Sequence, residues 1–151
     1  MTRTVLFLCT GNYYRSRFAE IFFNWHAERR VIPWRAESRG LELFADNVGP
    51  MSTHTIARLR RHGISIEPYQ RLPLVAAHRD FESAHHVVAV KETEHRPMLE
   101  RMFPTWLGRI EFWEIHDLNC ASPQEAIPHL ESEVLKLMGR LAGGSIERDA
   151  K

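Results

Sequence analysis

Four short apolar runs are spaced along the chain, and each has the length of a buried β-strand. They occupy residues 4–8, 34–38, 86–90 and 110–115. Apolar runs of about four to eight residues, bounded by turn-forming residues, are typical of strands that are covered on both faces. The pattern therefore predicts a sheet of four strands at the centre of the protein.

Between these runs the apolar positions follow a helical period. The predicted helices occupy residues 16–30, 52–62, 92–103 and 123–141. Apolar side chains three or four positions apart, such as Phe18, Ile21 and Trp25, form one apolar stripe along a helix. Ser52 is a suitable N-cap for the second helix, and Gly63 is a suitable residue just past its end.

Strands that alternate with helices predict an α/β fold: a small, parallel, four-stranded sheet flanked by helices on both faces. In such sheets, ligands bind just beyond the carboxyl ends of the strands. Cys9 lies at the carboxyl end of the first predicted strand, and Asp117 follows the fourth. We therefore expect these two residues to lie near a common site.

Composition narrows the class of protein. The length of 151 residues predicts one domain, residues 1–151, with a frayed tail at 143–151. A net charge of +1 without a basic run predicts no nucleic-acid partner, and no apolar run approaches the ~18 residues of a membrane span. The two distant cysteines, Cys9 and Cys120, favour free thiols in the cytoplasm. The sequence leaves the oligomeric state open.

The segment between the first strand and the first helix, residues 9–16, reads CTGNYYRS and has the features of a phosphate-binding loop. Backbone N–H groups in such a loop, and at the helix N-terminus behind it, can bind an anion. Gly11 allows a tight turn, and the planar guanidinium of Arg15 can bind two phosphate oxygens.

The same positive surroundings favour the thiolate of Cys9, to which Ser16 can donate a further hydrogen bond. A thiolate beneath a bound phosphate is suited to in-line attack on phosphorus. The loop therefore predicts a cysteine nucleophile and a cysteinyl-phosphate intermediate.

The loop resembles that of the low-molecular-weight protein tyrosine phosphatase family, whose pattern is C-x-G-N-x-x-R-S near the N-terminus. RHGI at residues 61–64, WRAES at 34–38 and the pair Asp80-Phe81 are similar to segments of that family, so the resemblance covers nearly the whole chain. It implies the fold predicted above. It also implies phosphomonoester hydrolysis without metal or cofactor, acting on a phosphorylated protein or a small aryl phosphate and releasing inorganic phosphate.

The resemblance implies roles for further residues. In the family, hydrogen bonds from an asparagine, two serines and a histidine hold the loop rigid. These roles fall here on Asn12, Ser16, Ser38 and His62. The loop positions expected to contact substrate are Thr10, Gly11, Asn12, Tyr13, Tyr14 and Ser16.

A general acid must protonate the leaving oxygen, a step that contributes about 10²–10⁴-fold to the rate. The family uses an aspartate of an Asp-Pro pair after the last strand, and the matching residue here is Asp117. Leu118 replaces the proline, so the loop is less restrained than in the family. Glu114 is the alternative acid.

Other positions depart from the family pattern. Tyr14 replaces a second loop cysteine, so a disulfide switch within the loop is not expected. Arg17 replaces a proline and is expected to add positive charge near the mouth of the site, and Lys91 replaces an acid at the end of the third strand. Leu43 or Phe44 is expected to form one wall of the pocket.

Several functions remain open on this fold. The favoured one is hydrolysis of phosphotyrosine or a related aryl phosphate, because the aromatic Tyr13 can stack on an aryl group. Protein arginine phosphatases carry threonine at this position, and arsenate reductases need further cysteines for disulfide relay. A module that binds phosphate without turning it over would keep the loop but lack a correctly placed Asp117.

Overall fold

The structure is a computed structural model that describes the backbone of residues 1–149 and the side chains of residues 1–143. The last helix extends to Asp149, into the tail that was expected to fray. Residues 150 and 151, which complete that tail, lie outside the described residues. No helix in the described part of the chain is long and apolar enough to cross a membrane.

The four predicted strands form one parallel sheet, which confirms the predicted fold class. They are β1 (Arg3–Cys9), β2 (Trp34–Gly40), β3 (His86–Ala89) and β4 (Ile110–Phe112), in the spatial order β2-β1-β3-β4. β1 is therefore central, and its carboxyl end lies between those of β2 and β3. The switch in strand order beside β1 places the end of this strand where α/β sheets bind ligands.

In the described part of the chain, five α-helices surround the sheet. They are α1 (Arg15–Arg30), α2 (Thr53–Arg61), α3 (His78–Ser83), α4 (Glu92–Met102) and α5 (Pro123–Asp149). The sequence pattern did not predict α3 or the 3-10 turns at Glu67–Tyr69 and Pro104–Arg109. Ser52 caps α2 as predicted, its hydroxyl accepting a hydrogen bond from the N–H of His54 at 3.1 Å.

Alternate side chains of β1 enter two different cores, because successive residues of a strand point to opposite faces. Val5, Phe7 and Cys9 lie in the core beneath α1 and α5. Leu6 and Leu8 lie in the core beneath α3 and α4. Both faces of the central strand are thus buried, and so is the thiol of its last residue, Cys9.

β4 is shorter than predicted, ending at Phe112 rather than at residue 115. The apolar pattern continues through the buried Trp113 and Ile115, but the chain turns across the end of β3 and leaves the parallel ladder. An antiparallel bridge between Lys91 and Glu114 marks this turn. It brings the segment that follows β4 over the carboxyl end of β1.

Candidate active site

The phosphate loop, residues 9–16, joins β1 to the N-terminus of α1. Asn12 has a φ of 52°, a left-handed conformation that asparagine tolerates better than most residues. α1 begins after Tyr14 without a side-chain cap, so the N–H groups of its first turn are available to an anion. The loop is therefore shaped as an anion-binding cup.

The thiol of Cys9 is buried at the base of this loop, with its Sγ 2.9 Å from the Oγ of Ser16. Asn12 donates from Nδ2 to the same Oγ at 2.9 Å, which occupies an acceptor site of the hydroxyl. Ser16 is then free to donate its own hydrogen to the sulfur. The hydroxyl of Ser16 therefore fixes the position of the sulfur at the base of the cup.

Asn12 is the hub that holds the loop. Its Nδ2 also donates to the Oγ of Ser38 at 2.9 Å, on the neighbouring strand β2. Its Oδ1 accepts from Arg71 and from the backbone N–H of Leu74, each at 3.0 Å. All hydrogen-bonding sites of this amide are used, so the left-handed turn is fixed before any ligand arrives.

The guanidinium of Arg15 is held by a forked pair of bonds to Glu94, at 3.1 and 2.9 Å. Its Nη1 also donates to the carbonyl of Ile115 at 3.0 Å. Burial alone would lower the pKa of Arg15, but the bond to Glu94 and the nearby charges of Cys9 and Asp117 raise it. Arg15 therefore stays charged and has a fixed orientation beside the loop.

Asp117 lies at the rim of the cup, where its Oδ2 is 3.3 Å from Nη2 of Arg15. Its Oδ1 accepts from the N–H of Leu118 at 2.9 Å, and its carbonyl accepts from Cys120 and Ala121. These bonds form a turn at Asp117 without the proline of the family pattern, and the carboxyl group remains partly exposed at the rim. Glu114 faces away and bonds to Thr93, with 2.7 Å between its Oε2 and the hydroxyl.

A cavity of about 330 Å³ opens above Cys9. Its walls are formed by Tyr13, Phe44 and Leu118, and Tyr13 is anchored by a hydrogen bond from its hydroxyl to the carbonyl of Val48 at 2.6 Å. Phe44 packs over the loop so closely that a Cβ on Gly11 would lie 2.9 Å from its ring. The absence of a side chain at Gly11 thus allows this close approach, and Phe44 is the wall residue.

The model of one protein family, described as low molecular weight phosphotyrosine protein phosphatase, matches residues 4–142. The chain belongs to this family. Because the match spans the phosphate loop, both sheet edges and Asp117, the whole site lies within the phosphatase domain.

Several solved structures share the fold. YfkJ from Bacillus subtilis is 21% identical with a TM-score of 0.73, over 100% of this chain and 98% of that chain. A low molecular weight protein tyrosine phosphatase from T. tengcongensis is 22% identical with a TM-score of 0.69, over 97% and 99%. YwlE arginine phosphatase from Geobacillus stearothermophilus is 20% identical with a TM-score of 0.71, over 98% and 96%. A search of proteins with curated descriptions found no match.

In this phosphatase, Arg15 is held by a different carboxylate from the one in the family pattern. Lys91, where the family has an acid, directs its Nζ towards the sulfur of Cys120 at 3.5 Å. Glu94, in the first turn of α4, binds Arg15 instead. Burial would raise the pKa of Glu94, but hydrogen bonds from His95 and Arg15 hold it well below its usual range. Sequence reasoning missed Glu94, although its place in the first turn of a helix that follows β3 was a signal.

Thr10 also turns towards α4 and does not line the cavity. Its hydroxyl donates to Glu94 and lies 3.0 Å from Nε2 of His95. The backbone N–H of Lys91 donates to Nδ1 of this histidine, so the ring hydrogen is on Nε2. Thr10 thus supports the carboxylate that holds Arg15, whereas it was predicted to contact substrate.

His62 does not take part in the loop network. As the C-cap of α2, it faces α5 and bonds through Nε2 to Glu131 at 2.6 Å. Arg71 fills the predicted role: it bonds Asn12 and also donates to the hydroxyl of Ser38 at 3.1 Å. No period or motif marks Arg71 in the sequence, because it lies in an irregular segment between two helices.

Arg17 is fully buried, so the prediction of an additional charge at the mouth of the site is wrong. Its position on α1 directs it beneath the loop, where it bonds Glu20 at 2.9 Å and the carbonyl of Tyr69 at 2.6 Å. Glu20 also accepts from the hydroxyl of Ser38 at 2.6 Å. Arg17 is therefore a support of the loop and not a contact for substrate.

Tyr14 contributes the one hydroxyl on the cavity that is buried without a hydrogen-bond partner among the described residues. Burial and the charge of Asp117 raise the pKa of Tyr14 to about 12. Its O–H therefore remains a donor at neutral pH. Among the described residues, no three His, Cys, Asp or Glu side chains are grouped as a metal site.

Proposed function

We propose that this phosphatase hydrolyses aryl phosphomonoesters, phosphotyrosine above all, through a cysteinyl-phosphate intermediate and without a metal ion. The observation that carries the proposal is the buried Cys9 sulfur, bonded to Ser16 at the base of the anion cup, with Asp117 3.3 Å from Arg15 at its rim. The nucleophile, the anion site and a proton donor are therefore within reach of one phosphate group.

In the first step, the phosphate dianion takes the place beside Arg15 that the Asp117 carboxylate occupies in the free protein. The incoming negative charge favours the protonated form of Asp117. The Cys9 thiolate then attacks phosphorus, the S–P bond forms as the P–O bond breaks, and Asp117 gives its proton to the leaving oxygen.

In the second step, water attacks the cysteinyl phosphate from the position of the departed alcohol. Asp117, now ionised, accepts a proton from this water, and the S–P bond breaks to restore the thiolate. The loop N–H groups and Arg15 stabilise the charge on the equatorial oxygens in both steps. Inorganic phosphate is the second product.

The cavity walls favour an aryl group. Tyr13 and Phe44 present aromatic surfaces and Leu118 an aliphatic one, so a phenyl ring can enter with its phosphate above Cys9. A phosphoarginine side chain is the alternative substrate, because similar structures include an arginine phosphatase. The aromatic ring of Tyr13 argues against that substrate. The cytoplasmic location expected from the sequence remains a prediction.

The test is hydrolysis of para-nitrophenyl phosphate in EDTA by wild-type protein and by Cys9→Ser. Activity that survives EDTA and is lost in the variant is expected. A second comparison, of matched phosphotyrosine and phosphoarginine peptides, decides the substrate, and faster turnover of the phosphotyrosine peptide is expected. A wild-type protein that binds phosphate but turns over neither substrate would show a phosphate-binding module instead.

Reduction of arsenate with a thioredoxin system gives a further control. The chain offers Cys9 and one exposed thiol, Cys120, so no arsenate reduction is expected. A measurable rate of arsenate reduction would overturn the proposed reaction class.

A further inference from the structure

A second groove, of about 540 Å³, lies along β2, the edge strand of the sheet. We name it the β2 groove; its lining includes Thr4 of β1, Arg17 and Glu20 of α1, Arg35 and Glu37 of β2, and Tyr69 and Arg71 of the segment after α2. It shares no lining residue with the cavity above Cys9. Its position therefore allows a ligand separate from the substrate.

The floor of the β2 groove carries more positive charge than its carboxylate can balance. Arg17 and Arg71 both reach Oε1 of Glu20, at 2.9 and 3.4 Å. The side chain of Arg17 is fully buried, and those of Glu20 and Arg71 are 9% and 29% exposed, so water screens the charge of Arg71 in part and that of Arg17 hardly at all. Burying a charge without a counter-charge is costly, and an anion in the groove would supply one.

Two further observations agree with this charge imbalance. The Nε of Arg17 is buried without a hydrogen-bond partner among the described residues. Burial and the charge of Arg17 lower the pKa of Arg71 to about 10, which indicates an unfavourable environment for its charged form. At the rim, the charges are paired: Arg35 bonds Glu28 at 3.1 Å, and Glu37 lies 3.8 Å from Arg39. The positive surplus therefore lies at the floor around Glu20, whereas Glu37 adds a negative charge at the rim, since Arg39 is also paired with Asp80 at 3.3 Å.

We propose that the β2 groove is a second oxyanion site, which binds a small phosphate- or sulfate-like anion against the partly exposed Arg71, with the buried charge of Arg17 beneath it. Thr4 and Arg35 line the same groove, and their side chains carry further hydrogen-bond donors. The ligand could be free inorganic phosphate or the phosphate group of a small metabolite, since both present the same oxygens.

This site is connected directly to the phosphate loop. The Nη1 of Arg71 bonds Asn12, and its Nη2 bonds Ser38 at both the hydroxyl and the carbonyl, at 3.1 and 2.9 Å. An anion that balances the charge of Arg71 favours the buried, charged arrangement in which these bonds are made. Occupation of the groove is therefore expected to stabilise the loop, and a filled loop to favour anion binding in the groove, since such coupling is reciprocal.

The experiment is a titration with inorganic phosphate followed by amide NMR, which separates the two sites. Amides of Thr4, Ala36 and Tyr69 report the β2 groove, whereas those of Gly11 and Arg15 report the loop. The expected result is saturable shifts at the groove amides, with a midpoint different from that of the loop amides. The same groove titration is expected in Cys9→Ser, so it does not depend on turnover.

Arg35→Ala provides the variant and Arg96→Ala its control, because Arg96 is a similarly exposed arginine paired with Glu92 away from the groove. We expect the groove midpoint to rise about three- to fivefold in Arg35→Ala, the loss of one exposed charge contact, and to be unchanged in Arg96→Ala. Groove shifts that do not saturate, that sodium chloride of equal ionic strength reproduces, or that weaken equally in both variants would overturn the proposal.

Repeating the titration with 2-phosphoglycolate, a small metabolite-like phosphate, distinguishes the sources of the ligand. Tighter binding than inorganic phosphate at the groove amides would favour the phosphate group of a metabolite. Equal or weaker binding would favour the free ion. Both results support an oxyanion site, and no saturable shift with either probe overturns it.

Discussion

Arg15 is bound by two carboxylates that have different tasks. Glu94 binds the outer edge of the guanidinium through a forked pair, whereas Asp117 touches one nitrogen from the rim at 3.3 Å. The Asp117 side chain is 38% exposed and can move, and that of Glu94 also contacts His95 and Thr10. A substrate phosphate can therefore displace Asp117 without disturbing the orientation of Arg15.

The role of Asp117 can be measured from its dependence on the leaving group. Asp117→Asn keeps the shape of the side chain but cannot give a proton. We expect kcat/KM, which reports the step that expels the leaving group, to fall about 10²–10⁴-fold for phenyl phosphate and much less for para-nitrophenyl phosphate, whose leaving oxygen needs little help. Equal losses for the two esters, or no loss, would show that Asp117 is not the acid.

The substitution Tyr14→Phe is expected to raise stability and to lower activity. The hydroxyl of Tyr14 is buried without a partner in the free protein, and Tyr14→Phe removes that cost, so the free energy of unfolding is expected to rise by about 1 kcal/mol. If the hydroxyl finds its partner in the bound phosphate or in Asp117, kcat should fall about fivefold.

Urea unfolding and steady-state kinetics measure the two effects on the same preparation. Tyr13→Phe is the matched control, because the hydroxyl of Tyr13 already bonds the carbonyl of Val48 and its loss is expected to lower stability. An unchanged kcat in Tyr14→Phe would leave this hydroxyl without a part in the reaction.

At the scale of elements, α4 supports the site although no residue of it belongs to the phosphate loop. Its first turn supplies Glu94 to Arg15 and His95 to Thr10, and it starts directly after β3. Parallel strands bring the start of this helix to the same edge of the sheet as Cys9. The acid missing at Lys91 is thereby replaced from a helix that follows the same strand.

Glu94→Gln tests this replacement. The amide keeps the size of the side chain but loses the forked ionic pair, so Arg15 is held less firmly. We expect kcat for para-nitrophenyl phosphate to fall about tenfold, since small misplacements of catalytic groups are costly. Glu92→Gln, which removes a carboxylate of the same turn that pairs with Arg96, is the control and should leave kcat unchanged.

A second readout separates positioning from general damage to the fold. Glu94→Asp restores a charge near Arg15 and is expected to recover part of the rate. If Glu94→Gln and Glu92→Gln lowered kcat by similar amounts, the pair of Arg15 with Glu94 would have no specific part in catalysis.

The elements that sequence could predict are those with a long or strongly apolar pattern. β1 and α1 are marked by a continuous apolar run and by repeated apolar spacing, so the loop between them could be placed as well. The six residues of α3 are too few to show a helical period. β4 was predicted too long because Trp113 and Ile115 are buried, although they lie in the turn that crosses the end of β3.

The residues of the site also divide into those that the sequence could predict and those that only the fold brings together. Cys9, Arg15 and Ser16 are close in sequence, and their spacing alone predicts the cup. Glu94 and Arg71 reach it from segments far along the chain, so only the fold brings them there. His62 was misassigned because a motif indicates a residue type but not the direction in which its side chain points.

At the scale of the whole molecule, Glu111 links the far edge of the sheet to the last helix. It accepts from Arg140 of α5 at 2.7 and 3.0 Å, from the indole of Trp113 at 2.6 Å, and lies 2.9 Å from Nε2 of His86. Burial would raise the pKa of Glu111, but the bonds from His86 and Arg140 hold it well below its usual range.

The stability of the protein should therefore depend on pH through this carboxylate. Because the pKa is depressed in the folded state, the stabilisation is fully present above the ordinary glutamate pKa of about 4.3 and is lost as the pH falls below it. Glu111→Gln is expected to lower the free energy of unfolding by about 1.5–3 kcal/mol at pH 7 and to flatten its decline between about pH 5 and 3.

Urea unfolding at a series of pH values measures both effects. Glu125→Gln is the control, since Glu125 accepts a hydrogen bond from Ser122 in the first turn of α5. A variant Glu111→Gln whose stability falls with acid as steeply as that of the wild type would show that other carboxylates govern the acid response.

The hydrogen bonds of Asn12 are complete in the free protein, so little ordering remains to be done when an anion enters the cup. A preorganised loop of this kind binds free phosphate as readily as a phosphorylated side chain, because it binds the phosphate group that the two have in common. Competitive inhibition by its own product follows. In a phosphate-rich solution, the turnover rate would then be limited by the dissociation of inorganic phosphate from the loop. The contact of an aryl group with the aromatic walls would give the substrate the additional affinity that lets it compete with this product.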